Sequence, residues 1–351
     1  MEVASLFAGI GGFEVGIKES NLDAKIVFAS EIDIHARASY IVNFGEKNLY
    51  GDITKIPETE IPDHDLLVAG FPCQAFSIAG KQRGFNDIRG TLFFEVARIL
   101  KEKQPKYFLL ENVKNLVSHD NGNTFKTIIK TLNDLGYTID FSIINSLEAG
   151  LPQNRERTYI VGILGGKNNK EKIEKRNNKI NKLKSSFEYN GFNFFNSLEF
   201  HNPQKYIKDI LEETKNERYL INNKNVKEFL KMNCFKENKT CVNKIVKLFD
   251  LPRNVWNDME RQRRVYSIYG ISPTILARSD TAKIYISTPE KYIRKLTPKE
   301  NFKLQGFNDF FIDNISRTVS MTQQYKQAGN AVSPPVITAI INHFISYMED
   351  N

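Results

Sequence analysis

The sequence predicts an α/β fold: a mostly parallel sheet with helices on both faces, carrying a smaller inserted domain. Three observations lead there. Short apolar runs of strand length alternate with longer amphipathic runs from the N-terminus to Gly165, the pattern of a parallel sheet with helical crossovers. A glycine-rich turn, Phe7-Ala8-Gly9-Ile10-Gly11-Gly12, directly follows the first apolar run. After Gly165-Gly166 the alternation gives way to a stretch dense in Lys, Asn and Glu, and then to basic residues mixed with aromatics.

Residues 3–7, 25–29, 66–69, 107–110, 139–143 and 158–163 read as strands. Residues 13–18, 91–103 and 123–135 between them read as helices. Residues 167–184 look like a solvated connector or a mobile helix. Residues 333–347 form an apolar helix, with Ser333 as N-cap and Pro334 in the first turn. The organisation expected is residues 1–185 as the first part of the main domain, 186–284 as the insert, and 285–351 as the return to the main domain.

A chain of 351 residues can bury an ample core. No run approaches a membrane span. Met1 to Phe7 lacks the charged region and cleavage site of a signal peptide and reads as a strand. Three cysteines without an export signal point to a reducing cytoplasm. The net charge of +8 suits a polyanionic partner without identifying one. The five histidines are scattered without ligand spacing, so no metal is expected. The chain is read as a monomer.

The glycine turn lets a ligand approach the backbone, a feature shared by many nucleotide sites. Glu31 gives it weight. It closes the second strand twenty residues after Gly11 (31 − 11 = 20), where a carboxylate can accept both ribose hydroxyls. Asp52 falls where the third strand would present a group to an adenine amine. Together these residues favour an adenosine-containing cofactor. They leave nicotinamide dinucleotide and S-adenosylmethionine both open.

Cys73 follows the apolar run 65–69 in Gly70-Phe71-Pro72-Cys73-Gln74. The proline fixes the backbone before the sulfur, and too few thiols exist for a disulfide framework or a four-thiolate site. A reactive nucleophile therefore outweighs a buried structural thiol. Glu111-Asn112-Val113 ends another strand, where open α/β sheets keep functional groups. Arg155 and Arg157, two apart before the strand 158–163, would face the same way in an extended segment and suit a phosphate or a carbonyl oxygen.

The chain resembles the C5-cytosine-specific DNA methyltransferases of restriction-modification type, over nearly its whole length outside the insert. The resemblance rests on the Phe7 to Gly12 turn, Pro72-Cys73-Gln74, Glu111-Asn112-Val113 and Gln153-Asn154-Arg155-Glu156-Arg157. It continues through Arg294-Lys295-Leu296-Thr297-Pro298, Leu304-Gln305-Gly306-Phe307 and Gln327-Ala328-Gly329-Asn330-Ala331-Val332. Ser5 departs from the pattern, because many members carry an acid before Leu-Phe-Ala-Gly. The departure bears on the methionine end of the cofactor site.

The resemblance implies a Rossmann-like S-adenosylmethionine-dependent methyltransferase fold with an inserted target-recognition domain. The cofactor is then S-adenosylmethionine, the product S-adenosylhomocysteine, and no metal takes part. Phe7, Gly9, Ile10, Gly12, Glu31, Ile32, Asp52, Ile53, Pro72, Leu92, Asn330 and Ala331 would surround the cofactor. Cys73 would add to C6 of a cytosine flipped out of duplex DNA, and C5 would take the methyl group. Glu111 would serve N3 and Arg157 the O2. Arg155 would support the loop or a nearby phosphate. Water is the default acceptor of the C5 proton.

Gln74, Ser77, Lys81, Arg83 and Arg89 belong to a basic loop beside the nucleophile, expected to meet DNA. In the insert, Arg261, Gln262, Arg263, Arg264 and Arg278 are candidates for base or phosphate contacts. Thr274 matches a family position near the flipped base's backbone. A cognate restriction endonuclease acting separately is a further partner. A tRNA cytosine-5 methyltransferase of the same superfamily is the nearest rival, and the long basic insert favours DNA. A nicotinamide-dependent oxidoreductase leaves Pro-Cys-Gln and Glu-Asn-Val unexplained. An inactive DNA-binding module is disfavoured by the intact Cys, Glu and double Arg.

Overall fold

The computed structural model describes residues 1–72, 92–169, 178–214, 216–221, 223–233, 237–277, 283–288 and 292–350. In chain order the first elements are β1 (Glu2–Leu6), α1 (Gly12–Lys18), β2 (Lys25–Ser30), α2 (Ile34–Phe44), β3 (Leu49–Tyr50) and β4 (Leu66–Gly70). Next come α3 (Leu92–Lys103), β5 (Tyr107–Val113), α4 (Asn123–Asp134), β6 (Tyr137–Asn145), β7 (Gln153–Asn154), β8 (Glu156–Leu164) and α5 (Asn178–Lys184). Then follow α6 (Lys224–Met232), β9 (Lys247–Asp250), β10 (Arg264–Tyr266), β11 (Ser272–Pro273), β12 (Tyr285–Ser287) and β13 (Ile293–Lys295). The chain ends in α7 (Pro298–Gln305), α8 (Asp309–Ser316), α9 (Met321–Asn330) and α10 (Pro334–Asp350). Two compact units result. One holds Met1–Ile144, Glu156–Glu199 and Val336–Asn351; the other holds Asn145–Arg155 and Phe200–Pro335.

The first unit is built on a sheet of order β3-β2-β1-β4-β5-β8-β6. β1 runs parallel to β2 and β4, β2 to β3, and β4 to β5. β8 runs antiparallel to β5, so the sheet is mostly rather than wholly parallel. The order reverses between β1 and β4, the switch point where open α/β sheets open a crevice at the strands' carboxyl ends. One face of the sheet carries the largest core: Leu6, Phe28, Leu67, Phe108 and Leu110 pack with Phe93, Val96 and Leu100 of α3 and Phe125, Ile128 and Leu132 of α4. The helical residues recur at three- and four-residue spacing, a single apolar stripe.

Helix α2 was not anticipated from the sequence. It is started by Asp33, whose Oδ1 accepts from the backbone N–H groups of His35 and Ala36. α10 closes this unit against the N-terminal segment: the Thr338 hydroxyl donates to the Gly16 carbonyl at 2.9 Å, and Val336, Ile337, Ile340, Ile341 and Phe344 are buried. Asp140, on β6, is buried and accepts from the backbone N–H groups of Phe194 and Phe195 and from Lys184 Nζ. It thereby fastens the chain beyond α5 to the sheet.

The second unit contains a sheet of order β13-β12-β10-β9 and a parallel β11–β7 pair. Ile221, Val226, Leu251, Val265, Tyr285 and Ile293 form a small core there. The Thr297-Pro298 segment starts α7 with a capping box: Thr297 Oγ1 accepts from the Glu300 N–H and Glu300 Oε2 accepts from the Thr297 N–H. Glu300 also forms a buried two-armed pair with Arg294, at 2.6 and 2.7 Å.

Candidate active site

In the first unit, the loops after β1, β2 and β3 and the ends of β4 and β5 lie at one edge of the sheet, because these strands are parallel. The turn after β1 needs left-handed backbone at Phe7 (φ 55°), Gly9 (φ 58°) and Gly11 (φ 94°). A Cβ on Gly11 would stand 2.1 Å from the Phe44 ring, so glycine is required there for space as well as torsion. A Cβ on Gly9 would meet nothing within 4 Å. The turn therefore leaves an open cradle above Gly9.

Glu31 borders that cradle. Its Oε2 accepts the Gly9 N–H at 2.9 Å and its Oε1 accepts the Asp33 N–H at 2.7 Å. Each carboxylate oxygen keeps accepting capacity for a further donor. Ile32 is 66% exposed, an apolar side chain held in solvent beside the carboxylate. After β3, Asp52 Oδ1 accepts from the Thr54 hydroxyl (2.7 Å) and N–H (3.1 Å). The hydroxyl bond, helped by the backbone bond and Lys55, holds the Asp52 carboxyl below its usual range against desolvation. Ile10, Gly12 and Ile53 are buried, Phe7 and Leu92 half-buried, and Pro72 exposed after β4. Two oriented carboxylates, an exposed aliphatic face and an open glycine cradle fit an adenosine.

Further along the same edge, β5 and β8 pair with Val113 opposite Arg157. This register brings Arg157 Nε to 3.2 Å from Glu111 Oε1, with both side chains largely shielded. Arg157 Nη1 donates to the Glu156 carbonyl, and Lys114 pairs with Glu156 at 2.5 Å. An anionic and a cationic group thus stand together where a flat polar ring with both donor and acceptor edges can be held.

The second unit receives Arg155 instead. It is buried, and its Nη2 donates to the carbonyls of Gly329 (3.2 Å) and Ala331 (2.8 Å). The two guanidiniums that share a spacing in sequence therefore take different partners. Asn330 is exposed at the end of α9 and Ala331 is buried. Gln153 and Asn154 form β7 beside Thr274: the Thr274 hydroxyl donates to the Asn154 carbonyl at 2.6 Å, and Gln153 Oε1 accepts the Ile275 N–H at 3.0 Å.

The exposed Arg261 donates to the Thr274 carbonyl. Arg263 donates to the Leu251 carbonyl and Arg264 to Glu260. Gln262 is buried in the turn that precedes β10. Cys73, Gln74, Ser77, Lys81, Arg83, Arg89 and Arg278 lie outside the described residues.

Two polar residues to which sequence reasoning gave no role also belong to this region of the first unit. Asn112 is buried and its Nδ2 donates to the Phe71 carbonyl at 2.8 Å. Glu14, on α1, is buried, and the Tyr40 hydroxyl lies 3.4 Å from its Oε1. A glutamate inside an otherwise apolar helical stripe was the available signal for the second. Among the described residues, no group of three His, Cys, Asp or Glu side chains is placed to hold a metal ion. No helix among them is long and apolar enough to cross a membrane.

Comparison with known proteins agrees with this architecture. The family model for C-5 cytosine-specific DNA methylase matches residues 1–346. The chain is 42% identical to the Type II methyltransferase M1.ScrFI of Lactococcus lactis subsp. cremoris, over 99% of this chain and 79% of that protein. It is 40% identical to the Type II methyltransferase M.SsoII of Shigella sonnei, over 98% and 80%. The S. pombe Dnmt2 methyltransferase shares the fold with a TM-score of 0.70 at 19% identity, covering 99% of each chain. This chain belongs to the C-5 cytosine-specific DNA methylase family and is a DNA cytosine-5 methyltransferase.

Proposed function

We propose that this methyltransferase recognises a short DNA sequence, flips a cytosine out of the duplex, adds Cys73 to C6 and delivers a methyl group to C5. The observation that carries the reading is the Glu111–Arg157 pair, set along the same sheet edge as the Gly9–Glu31 bond. Flipping costs a few kcal/mol, because the target atoms are buried in the base stack. Carbon 5 of cytosine is a poor nucleophile. Addition of the Cys73 thiolate to C6 turns the ring into an enamine-like species whose C5 can attack an electrophile. Glu111 serves N3 as acid or hydrogen-bond donor while charge develops, and Arg157 holds O2. Loss of the C5 proton to water and expulsion of Cys73 release 5-methylcytosine.

The cofactor is S-adenosylmethionine, which supplies an electrophilic methyl group on its sulfonium. Glu31 would accept from the ribose hydroxyls and Asp52 from the adenine amine, with Ile32 and Ile53 beside them on this side of the site. Phe7, Gly9, Ile10, Gly12, Pro72 and Leu92 complete this side. Asn330 and Ala331 are assigned to the cofactor on the resemblance alone. Residues 186–284 serve target recognition, with Arg261, Arg263, Arg264 and Thr274 as candidates for DNA contact. The enzyme works as a cytoplasmic monomer, with any restriction endonuclease acting separately.

Bisulfite sequencing of DNA from cells expressing the chain tests the reading and reveals the site. The expected result is 5-methylcytosine at one short sequence, absent with Cys73→Ala. Methylation that persists in Cys73→Ala removes the nucleophile assignment. Unmodified DNA beside methylated tRNA favours the rival substrate. The Dnmt2 likeness, at 19% identity, speaks only to the fold.

A further inference from the structure

The parallel pairing of β4 with β5 ends at Gly70 opposite Glu111. One residue later the two strands bond through a side chain. The Val113 N–H, through which a continued parallel ladder can bond the Phe71 carbonyl, donates instead to Asn112 Oδ1 at 2.8 Å. Asn112 Nδ2 in turn donates to the Phe71 carbonyl at 2.8 Å. One amide is thus inserted between two backbone groups, holding β4 off β5 by the length of a side chain. The next residue, Pro72, has no N–H with which to rejoin the ladder, and Cys73 follows at once.

The insertion is costly to lose and has only this place to act. Asn112 is 3% exposed, and asparagine is depleted in strands. An apolar residue there would leave the buried Phe71 carbonyl without this donor. On the other side of β5, Thr158 pairs with Asn112 and its hydroxyl donates to the Val113 carbonyl. The end of β5 is therefore fixed from the β8 side, and Asn112 transmits that fixed position to the strand exit at Phe71-Pro72.

We infer that Asn112 is a positioning residue for the nucleophile. Its amide sets the direction in which the chain leaves β4 at Phe71-Pro72, directly before Cys73 in the sequence. This rests on the reading of Cys73 as the nucleophile. Misplacement of a reacting atom by about 1 Å can cost roughly 100-fold in rate, so a spacer of one amide is enough to matter.

The test uses the full-length enzyme and a duplex carrying 5-fluorocytosine at the methylated position, which traps the Cys73 adduct. Asn112→Asp is isosteric and still accepts from Val113, but sets an oxygen against the Phe71 carbonyl. Asn112→Ala removes both bonds. The expected result is adduct formation and kcat slowed roughly 100-fold, with S-adenosylhomocysteine affinity, DNA affinity and KM within about twofold of the parent.

Trapping of Asn112→Asp at the parent rate overturns the positioning role and leaves the nucleophile reading intact. Loss of S-adenosylhomocysteine and DNA binding together with trapping in Asn112→Asp also overturns it, in favour of a purely structural role. A parent enzyme that turns over yet is never trapped overturns the nucleophile reading, and this inference with it.

Discussion

Arg157 Nε stands 3.2 Å from Glu111 Oε1, joining the antiparallel strands β5 and β8. Each group is shielded enough for the pair to matter more than a surface ion pair. In the proposed mechanism each also has its own task on the cytosine ring. Glu111→Gln keeps the shape but cannot deliver a proton, and is expected to lower kcat by about 10²–10⁴-fold. Arg157→Ala is expected to lower it by about 10²–10³-fold. The double variant should lose far less than the product of the two, because both act on one ring. Single-turnover transfer of labelled methyl groups measures this. Strict multiplicativity would mean that the pair does not act together.

Arg155 should behave differently, because it is buried and bonded to the Gly329 and Ala331 carbonyls rather than aimed at a ring. Arg155→Ala removes a charge-assisted donor from two carbonyls, and each buried acceptor left without a partner costs about 1–3 kcal/mol. Arg155→Lys keeps the charge but not the planar fork. Both variants are expected to weaken S-adenosylhomocysteine binding at least tenfold and to lower the urea midpoint. Calorimetry and urea unfolding check the two effects separately. Undiminished affinity in a destabilised variant would detach the segment around Asn330 from the cofactor.

These two arginines also mark how far the sequence could be read. The alternation of strands and helices, the Phe7 to Gly12 turn and the strand-end acids Glu31 and Glu111 were all visible, because local spacing encodes them. The partners of Arg155 lie 174 and 176 residues away, and no local spacing reports such a contact. Spacing placed Arg155 and Arg157 on one face. The short β7 strand and the start of β8 give them separate surroundings. Helix α2 was missed because its buried residues, Ala36, Ser39 and Tyr40, include small and polar ones that leave little apolar periodicity. Gln262 looked like a base reader by composition, yet the turn preceding β10 buries it.

Gly9 offers a separation of stability from binding. Its φ of 58° strains any L residue by about 1–2 kcal/mol, but a methyl group there meets no atom within 4 Å. Gly9→Ala should therefore fold with a small loss of stability while filling the cradle beside Glu31. S-adenosylhomocysteine affinity is expected to fall by tenfold or more. Gly11→Ala should instead fail mainly in stability, because its methyl group meets the Phe44 ring. Thermal unfolding and calorimetry on the two variants give the comparison, and unchanged affinity in Gly9→Ala would place the cofactor elsewhere.

Glu14 makes stability depend on pH in a direction opposite to most carboxylates. Burial pushes its carboxyl up to about 7 from 4.5, against smaller opposing influences of the nearby Ser5, its own backbone and the Tyr40 hydroxyl. The folded chain therefore keeps a proton between about pH 4.5 and 7 that the unfolded chain has lost, and stability falls as pH rises through that window. The full difference corresponds to about 3 kcal/mol.

Glu14→Gln cannot titrate and keeps the side-chain size, so its stability relative to the parent should grow by about 2–3 kcal/mol from pH 4.5 to 8. Urea unfolding of both proteins across that range isolates the effect. The buried His64, whose imidazole is held below its usual value chiefly by desolvation, contributes equally to both curves and cancels in their difference. Parallel curves would mean that Glu14 is ionised in the folded enzyme, and that Ser5 and Tyr40 bind it as a carboxylate.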